Sequence, residues 1–378
     1  MSIIYVSLNY IPLNLAGAIR SSNFVNQVKR VEEVVILTTT KTQISDPSIK
    51  VDRISLNPPQ NGDNYLTRLI KEIKFGFKVL KKIKQHNAGK IILSSPPFIS
   101  ALLIILLASN KNITLDVNDI YPEVYVWAGI FKKRSFFYRI LKFLTKKSYQ
   151  KSKHIVTATE SIKRLIQRDY KIDNKKLTNI YTGYTNKMLK ISESKYSQFT
   201  LICPGRLGEA QNVELLCKVM EGTYKKDKSI NFLVIGSGGK ENLIFDYQYD
   251  NLEHYMEVDH SDLVKIYHKC HIGLSFRNST ELGEIAFPQR VFEYIGANLP
   301  SVITPISEAG NIVEDNGLGY QFKNENLEDI IDHILLLKEN KDLYNGKVKS
   351  IQSIKEKFVS NQNSKKIVDV INKDKSNF

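Results

Sequence analysis

Two successive series of short apolar runs, each interleaved with helical stretches, predict an α/β protein built as two Rossmann-like domains facing a cleft. The first series is Ile3–Leu8, Val34–Thr38, Lys90–Ser94, Asn112–Val117 and His154–Thr157. The second is Phe199–Cys203, Asn231–Ile235, His254–Val258, Ile272–Phe276 and Ser301–Thr304. Each run is rich in β-branched residues and bounded by polar or turn residues, the pattern of a strand covered on both faces. Between them lie helical patterns such as Asn64–His86, where Leu66, Leu69, Ile70, Ile73, Phe77, Leu80 and Ile83 define an apolar face expected to pack on the sheet. Val213–Met220 and Ser261–Cys270 play the same part in the second series. The length of 378 residues is too great for one growing core, which independently favours two domains. The expected boundaries are 1–186 for the first domain, 187–198 for a polar linker, 199–345 for the second domain and 346–378 for a helical tail.

Charge divides the same way. Residues 1–190 hold 32 Lys and Arg against 12 Asp and Glu, net +20, while the rest holds 22 against 27, net −5. Opposite charge on two domains implies different partners. The densest basic segment, Phe131–Lys153, has nine Lys or Arg and no acid, with Phe136, Phe137, Tyr138, Phe143 and Tyr149 interleaved. It suits an anionic lipid surface; alternatively Phe136, Ile140, Phe143 and Leu144 pack on the sheet while the lysines are solvated. The longest apolar run, Phe98–Ala108, is about half the length of a membrane-spanning helix. The N-terminal residues lack the basic region of a secretory signal, and three cysteines without close spacing fit a reducing compartment. A cytoplasmic protein, peripheral at the inner face of the membrane, is the expected location.

In open α/β sheets, ligands sit beyond the carboxyl ends of the strands, so the loops there carry the chemistry. After Phe199–Cys203 comes Pro204-Gly205-Arg206-Leu207-Gly208-Glu209-Ala210-Gln211-Asn212, in which Arg206 offers a guanidinium suited to a diphosphate. After Asn231–Ile235 comes Gly236-Ser237-Gly238-Gly239-Lys240, a glycine-rich turn that is neither a P-loop nor a complete dinucleotide fingerprint. The third loop leads into Phe287-Pro288-Gln289-Arg290-Val291-Phe292-Glu293-Tyr294-Ile295 and the run Pro300-Ser301-Val302-Ile303.

These last two motifs resemble the donor-site signature of glycosyltransferase family 4, retaining enzymes of the GT-B fold, and most closely the branch that builds bacterial O-antigen and capsule. Further matches run along nearly the whole chain: a Gly17-Ala18-Ile19-Arg20 loop, Asp119-Ile120-Tyr121-Pro122-Glu123, Thr159-Glu160-Ser161, Gly205-Arg206 with Gln211, and Asn316-Gly317-Leu318-Gly319. The resemblance implies a retaining hexosyltransferase that moves sugar from a nucleotide diphosphate to a hydroxyl of a glycan carried on a polyprenyl diphosphate, without a metal or other cofactor. It implies that Glu293 accepts hydrogen bonds from the donor ribose and that Arg206 and Arg290 hold the diphosphate and stabilise its developing charge. Gly17, Gln211, Gly236, Ser237, Gly238 and the backbone at Ala286 and Phe287 would complete the donor pocket. Asp119 would act catalytically at the sugar, with Glu123 and Arg20 beside it on the acceptor side.

The chain departs from the family where an acid usually stands eight residues before Glu293; Ile285 is there, with Glu281 and Glu284 out of register. His268, Cys270 and His271 lack a second ligand cluster, and Asp116 with Asp119 only superficially suggests a metal pair, so no metal is expected. Two rivals are a nucleotide-sugar 2-epimerase on the same fold, which turns over donor without acceptor, and a basic nucleic-acid binder. The basic half contains no recognised nucleic-acid motif, so nucleic acid is not an expected partner.

Overall fold

The computed structural model describes residues 2–13, 15–42, 44, 46–59, 63–86, 88–108 and 111–373. The chain forms two compact units, one of residues up to Thr182 together with those from Asn361 onward, the other Gly183–Ser360.

The first unit is a seven-stranded parallel sheet of β1 (Ile3–Val6), β2 (Val34–Thr38), β3 (Ile49–Arg53), β4 (Lys90–Ser95), β5 (Asn112–Val117), β6 (His154–Thr157) and β7 (Leu177–Asn179) in the order β3-β2-β1-β4-β5-β6-β7. Ile4 pairs with Val35 on one side and Ile91 on the other, and all of β1 is buried, as a strand covered on both faces requires. The crossovers contain α1 (Ala16–Val28), α2 (Tyr65–His86), α3 (Phe98–Leu107), α4 (Glu123–Trp127), α5 (Phe136–Lys151) and α6 (Glu160–Tyr170). Thr159 starts α6 by accepting the Ile162 N–H at 3.1 Å.

The second unit repeats the plan with β8 (Phe199–Pro204), β9 (Ile230–Ile235), β10 (Leu252–Tyr255), β11 (Ile272–Phe276), β12 (Ser301–Thr304) and β13 (Gly319–Gln321), all parallel, in the order β10-β9-β8-β11-β12-β13. Its helices are α7 (Val213–Lys226), α8 (Asn242–Phe245), α9 (His260–Lys269), α10 (Glu281–Ile285), α11 (Gln289–Gly296), α12 (Glu308–Asp315), α13 (Leu327–Glu339) and α14 (Lys341–Ile354). Its core joins Leu201, Phe232, Val234 and Leu274 from the strands to Leu216 and Val219 of α7 and Ile330 and Ile334 of α13. The two parallel sheets with flanking helices are two Rossmann-like domains.

Four expectations change. The third strand of the second series lies at Leu252–Tyr255, two residues before the expected start. The interval 187–198 falls inside the second unit, with Met188 buried. The end of the chain is no separate tail: after α15 (Ser360–Ser364), α16 (Lys366–Asn372) sets Ile367, Val370 and Ile371 into the core of the first unit against Phe24, Val25 and Val28 of α1; residues 374–378 of the expected tail lie outside the described residues. Finally, α2 buries Phe75, Gly76, Val79 and Ile83, while Leu66, Leu69, Ile70 and Phe77 of its expected inner face are exposed. Helix α5 does likewise, burying Tyr138, Thr145, Ser148 and Tyr149 and exposing Phe136, Phe137, Ile140 and Phe143.

Candidate functional site

In the second unit the strand order reverses between β8 and β11, the switch point at which open α/β sheets bind ligands. The loops after β8 and β9 meet there through their backbones. The Gly205 N–H donates to the Ile235 carbonyl at 2.7 Å and the Leu207 N–H to the Ser237 carbonyl at 3.0 Å. Gly236 has φ +138°, and a Cβ on it would lie 2.1 Å from the Gly205 carbonyl oxygen, so no other residue fits without moving the loop. His254 steadies the same turn, its Nε2 at 2.9 Å from the Gly236 carbonyl.

Helix α11 begins after Pro288 and brings its first turn to this junction. The Arg290 guanidinium lies over Gly205, where a Cβ would approach Nη2 to 2.6 Å, and Nη1 reaches the Cys203 Sγ at 3.7 Å. Arg290, Arg206, Gly205, Gln211 and Phe276 line one recess. The Gln211 Oε1 there is buried and has no hydrogen-bond partner among the described residues, a free acceptor in a pocket rich in cationic donors. Ser237 and Gly238 continue the β9 loop, Ser237 exposed.

One helical turn beyond Arg290, Glu293 is 8% exposed. The Tyr267 hydroxyl donates to its Oε2 at 2.6 Å, and His260 Nε2 stands 3.5 Å from Oε1. Burial, reinforced by the Glu293 charge, raises the Tyr267 pKa well above that of an ordinary tyrosine, so this hydroxyl stays protonated and donates. Glu293 is therefore fixed from α9 with acceptor capacity left over, since a carboxylate offers about four lone-pair sites. Phe287 stacks on Phe292 with ring centroids 3.9 Å apart, and the Ala286 N–H is taken by the Leu282 carbonyl at 3.2 Å. Ile285 ends α10, whose Glu281 and Glu284 are exposed.

The structure thus brings Arg206, Gln211 and Arg290 together, with Glu293 one turn further along the same helix. The sequence reading missed Tyr267 and His260. Tyr267 looks like another core residue of an amphipathic helix, and His260 is a polar residue at a helix start, so neither stands out before the tertiary contacts are known.

The first unit treats its expected residues differently. Arg20 is not in a loop but in α1, 2% exposed, its Nη2 and Nε bonded to Asp116 at 2.8 and 3.0 Å and its Nη1 donating to the Ile180 carbonyl. Its donors are committed inside the protein, so the expected phosphate contact gives way to a buried ion pair. Glu123 is also buried, accepting from the Tyr170 hydroxyl at 2.7 Å and pairing with Lys142 at 3.2 Å, so its carboxylate does not face a substrate. Asp119, by contrast, is half-buried in the loop after β5 and lines a small recess with Ser95, Phe98 and Tyr121. Gly17 is exposed near the start of α1 with open space around it.

Residues 185–353 match the family described as glycosyl transferases group 1. Three solved structures share the fold over nearly the whole chain. WaaG, a glycosyltransferase involved in lipopolysaccharide biosynthesis, is 12% identical with TM-score 0.76, covering 98% of this chain and 100% of that one. Anabaena Alr3699/HepE in complex with UDP is 11% identical with TM-score 0.73, over 98% and 99%. A putative UDP-N-acetylglucosamine 2-epimerase from Listeria monocytogenes is 12% identical with TM-score 0.64, over 100% and 97%. No curated protein matches the chain. The fold is that of the GT-B glycosyltransferase structures, and residues 185–353, a little under half of the chain, resemble the group 1 glycosyl transferases.

Proposed function

We propose that the protein is a retaining glycosyltransferase of family 4 that moves a sugar from a nucleotide diphosphate to a hydroxyl of a polyprenyl-diphosphate-linked glycan, in surface-polysaccharide synthesis. The observation that carries this reading is the Arg206–Arg290–Glu293 arrangement at the switch point of the second unit. Arg206 and Arg290 line one recess, where their guanidiniums would meet a diphosphate, and a carboxylate held by Tyr267 stands one turn away for a ribose. The binding of UDP by HepE, and of UDP-glucose in a second structure of it, supports a nucleotide-sugar donor.

In the proposed reaction the glycosidic C–O bond to the diphosphate breaks as the acceptor oxygen attacks from the same face, and the departing phosphate oxygen takes the acceptor proton. The two arginines neutralise the charge gathering on the diphosphate, so no divalent ion is needed, and fixed donors of this kind need little reorganisation during reaction. Asp119 on the first unit serves the sugar and acceptor side. The basic first unit keeps the enzyme on the inner face of the cytoplasmic membrane, where its lipid-linked acceptor lies. Among the described residues no helix is long and apolar enough to cross a membrane.

Glu293→Ala raises the donor KM about tenfold or more, because a hydrogen bond to a charged group is worth roughly 1.5–3 kcal/mol. Unchanged donor affinity and turnover would refute the site. Tyr267→Phe raises the donor KM with a smaller effect on kcat, since it frees Glu293 to rotate without touching the reacting atoms; a lowered kcat with unchanged KM would mean that Tyr267 acts only on folding. Release of nucleoside diphosphate that requires acceptor supports transfer, whereas conversion of the donor to its 2-epimer without acceptor would establish the rival activity.

A further inference from the structure

The outward faces of α2 and α5 form a second site, on the first unit and apart from the donor recess. Leu66 and Leu69 of α2, Ile99 of α3, Tyr125 of α4, and Phe137 and Ile140 of α5 line a groove of about 400 Å³. Its floor is sealed by Glu72, which is 3% exposed and accepts the Ile99 N–H at 2.9 Å and the Arg68 guanidinium at 3.4 Å, so the polar group at the base is satisfied. Apolar side chains continue outside the groove, with Phe136 73% and Phe77 53% exposed. A contiguous apolar surface of this kind marks a place of interaction.

Charge identifies the occupant. Helix α2 carries seven Lys and Arg and α5 five, against the single acid Glu72. On the far flank of α5 a recess is lined by Arg139, Lys146 and Lys142, the last paired with Glu123, together with the single acid Asp169. A second copy of this chain would set twelve more cations against these, and like-charge juxtaposition opposes such a dimer. A surface that is anionic outside and hydrocarbon within satisfies both features at once. We infer that the α2–α5 face docks on an anionic bilayer, with a lipid hydrocarbon chain entering the groove and acidic headgroups meeting the basic residues of the two helices. This deepens the proposed membrane location by giving it a binding site. Electrostatic attraction and apolar insertion together supply the two signals that stable peripheral anchoring takes.

Trp127, the only tryptophan, ends α4 two residues from the groove-lining Tyr125 and so reports on this site. The test is co-sedimentation of the full chain with phosphatidylcholine vesicles with and without phosphatidylglycerol, alongside quenching of Trp127 by phosphatidylcholine brominated on its acyl chains. Binding is expected only with phosphatidylglycerol, falling with salt, and brominated chains are expected to quench Trp127. The double variant Leu66→Asn with Phe137→Asn should weaken binding about tenfold or more, since burying each side chain is worth on the order of a factor of ten. Arg139→Gln with Lys146→Gln should weaken binding to phosphatidylglycerol vesicles about tenfold, since each basic residue near the surface strengthens binding severalfold. Salt-sensitive binding without quenching, unaffected by the Leu66 and Phe137 changes, would overturn chain insertion; no vesicle binding would overturn the whole inference. UDP binding measured on the same preparation keeps that failure separate from failure of the donor site.

Discussion

Arg290→Ala lowers kcat/KM for glycosyl transfer by about 10²–10³, the loss seen when one donor to a transition-state anion is removed. The argument rests on position. Arg290 is held over Gly205 at the end of β8, its Nη1 against the Cys203 sulfur, and it shares its recess with Arg206 and Gln211. In the proposed reaction charge on the leaving diphosphate grows as the glycosidic bond breaks, so the guanidinium would contribute more to the transition state than to the bound donor. The loss should appear in kcat as well as in KM. Arg290→Lys keeps the charge but loses the fork geometry, and should recover only part of the rate. Activity within a factor of about three of the wild type in the alanine variant would remove the diphosphate clamp from this account.

Arg20→Ala destabilises the first unit by about 3–5 kcal/mol, because it leaves the Asp116 carboxylate, which is fully buried, without its counterion. Arg20 also covers the Phe24 ring, with the guanidinium carbon 4.5 Å from its centroid, and the Ile180 carbonyl loses its donor. The double variant Arg20→Met with Asp116→Asn should regain much of that stability, since no uncompensated charge remains. Urea denaturation checks both values. Donor KM measured on the folded protein should stay unchanged. A raised KM with normal stability would restore the substrate contact that the sequence suggested for Arg20.

The strands that lie inside each sheet were legible because burial on both faces favours apolar runs such as Ile3–Val6. Strands β3, β7 and β13 were not. In β3 (Ile49–Arg53) lysine, aspartate and arginine interrupt the apolar residues, and β7 and β13 are three residues each. The loops at the switch point of the second unit could be picked out from their glycines and arginines, and Arg206, Gln211 and Arg290 line one recess there. The acceptor side was harder to read. Arg20, Asp116 and Glu123 carry the same side chains whether they meet a substrate or one another, and only the fold pairs Arg20 with Asp116 and Glu123 with Tyr170 and Lys142.

Helices α2 and α5 show a different limit. Both contain more apolar residues than one face can bury, and periodicity alone does not select the buried set. Leu66, Leu69, Ile70 and Phe77 have helical spacing, yet of the expected face only Ile83 is fully buried, and Phe75 and Val79 turn inward beside it. In α5 small and hydroxyl-bearing Thr145 and Ser148 go inward, where α3 packs closely, and Phe136 and Phe143 are left outside. That surplus of apolar surface is what an interfacial helix carries.

The most direct test of the donor site is equilibrium binding of UDP, GDP, ADP, CMP and dTDP, each with and without a linked sugar, to the full chain and to its Arg290→Ala and Glu293→Ala variants. A ligand that binds only the folded state raises its melting temperature by mass action, so thermal shift with calorimetric confirmation is sufficient. The account predicts selective binding of one nucleoside diphosphate class, weakened by both substitutions in otherwise well-folded protein. Binding of none of them, or binding that both variants retain in full, would contradict it.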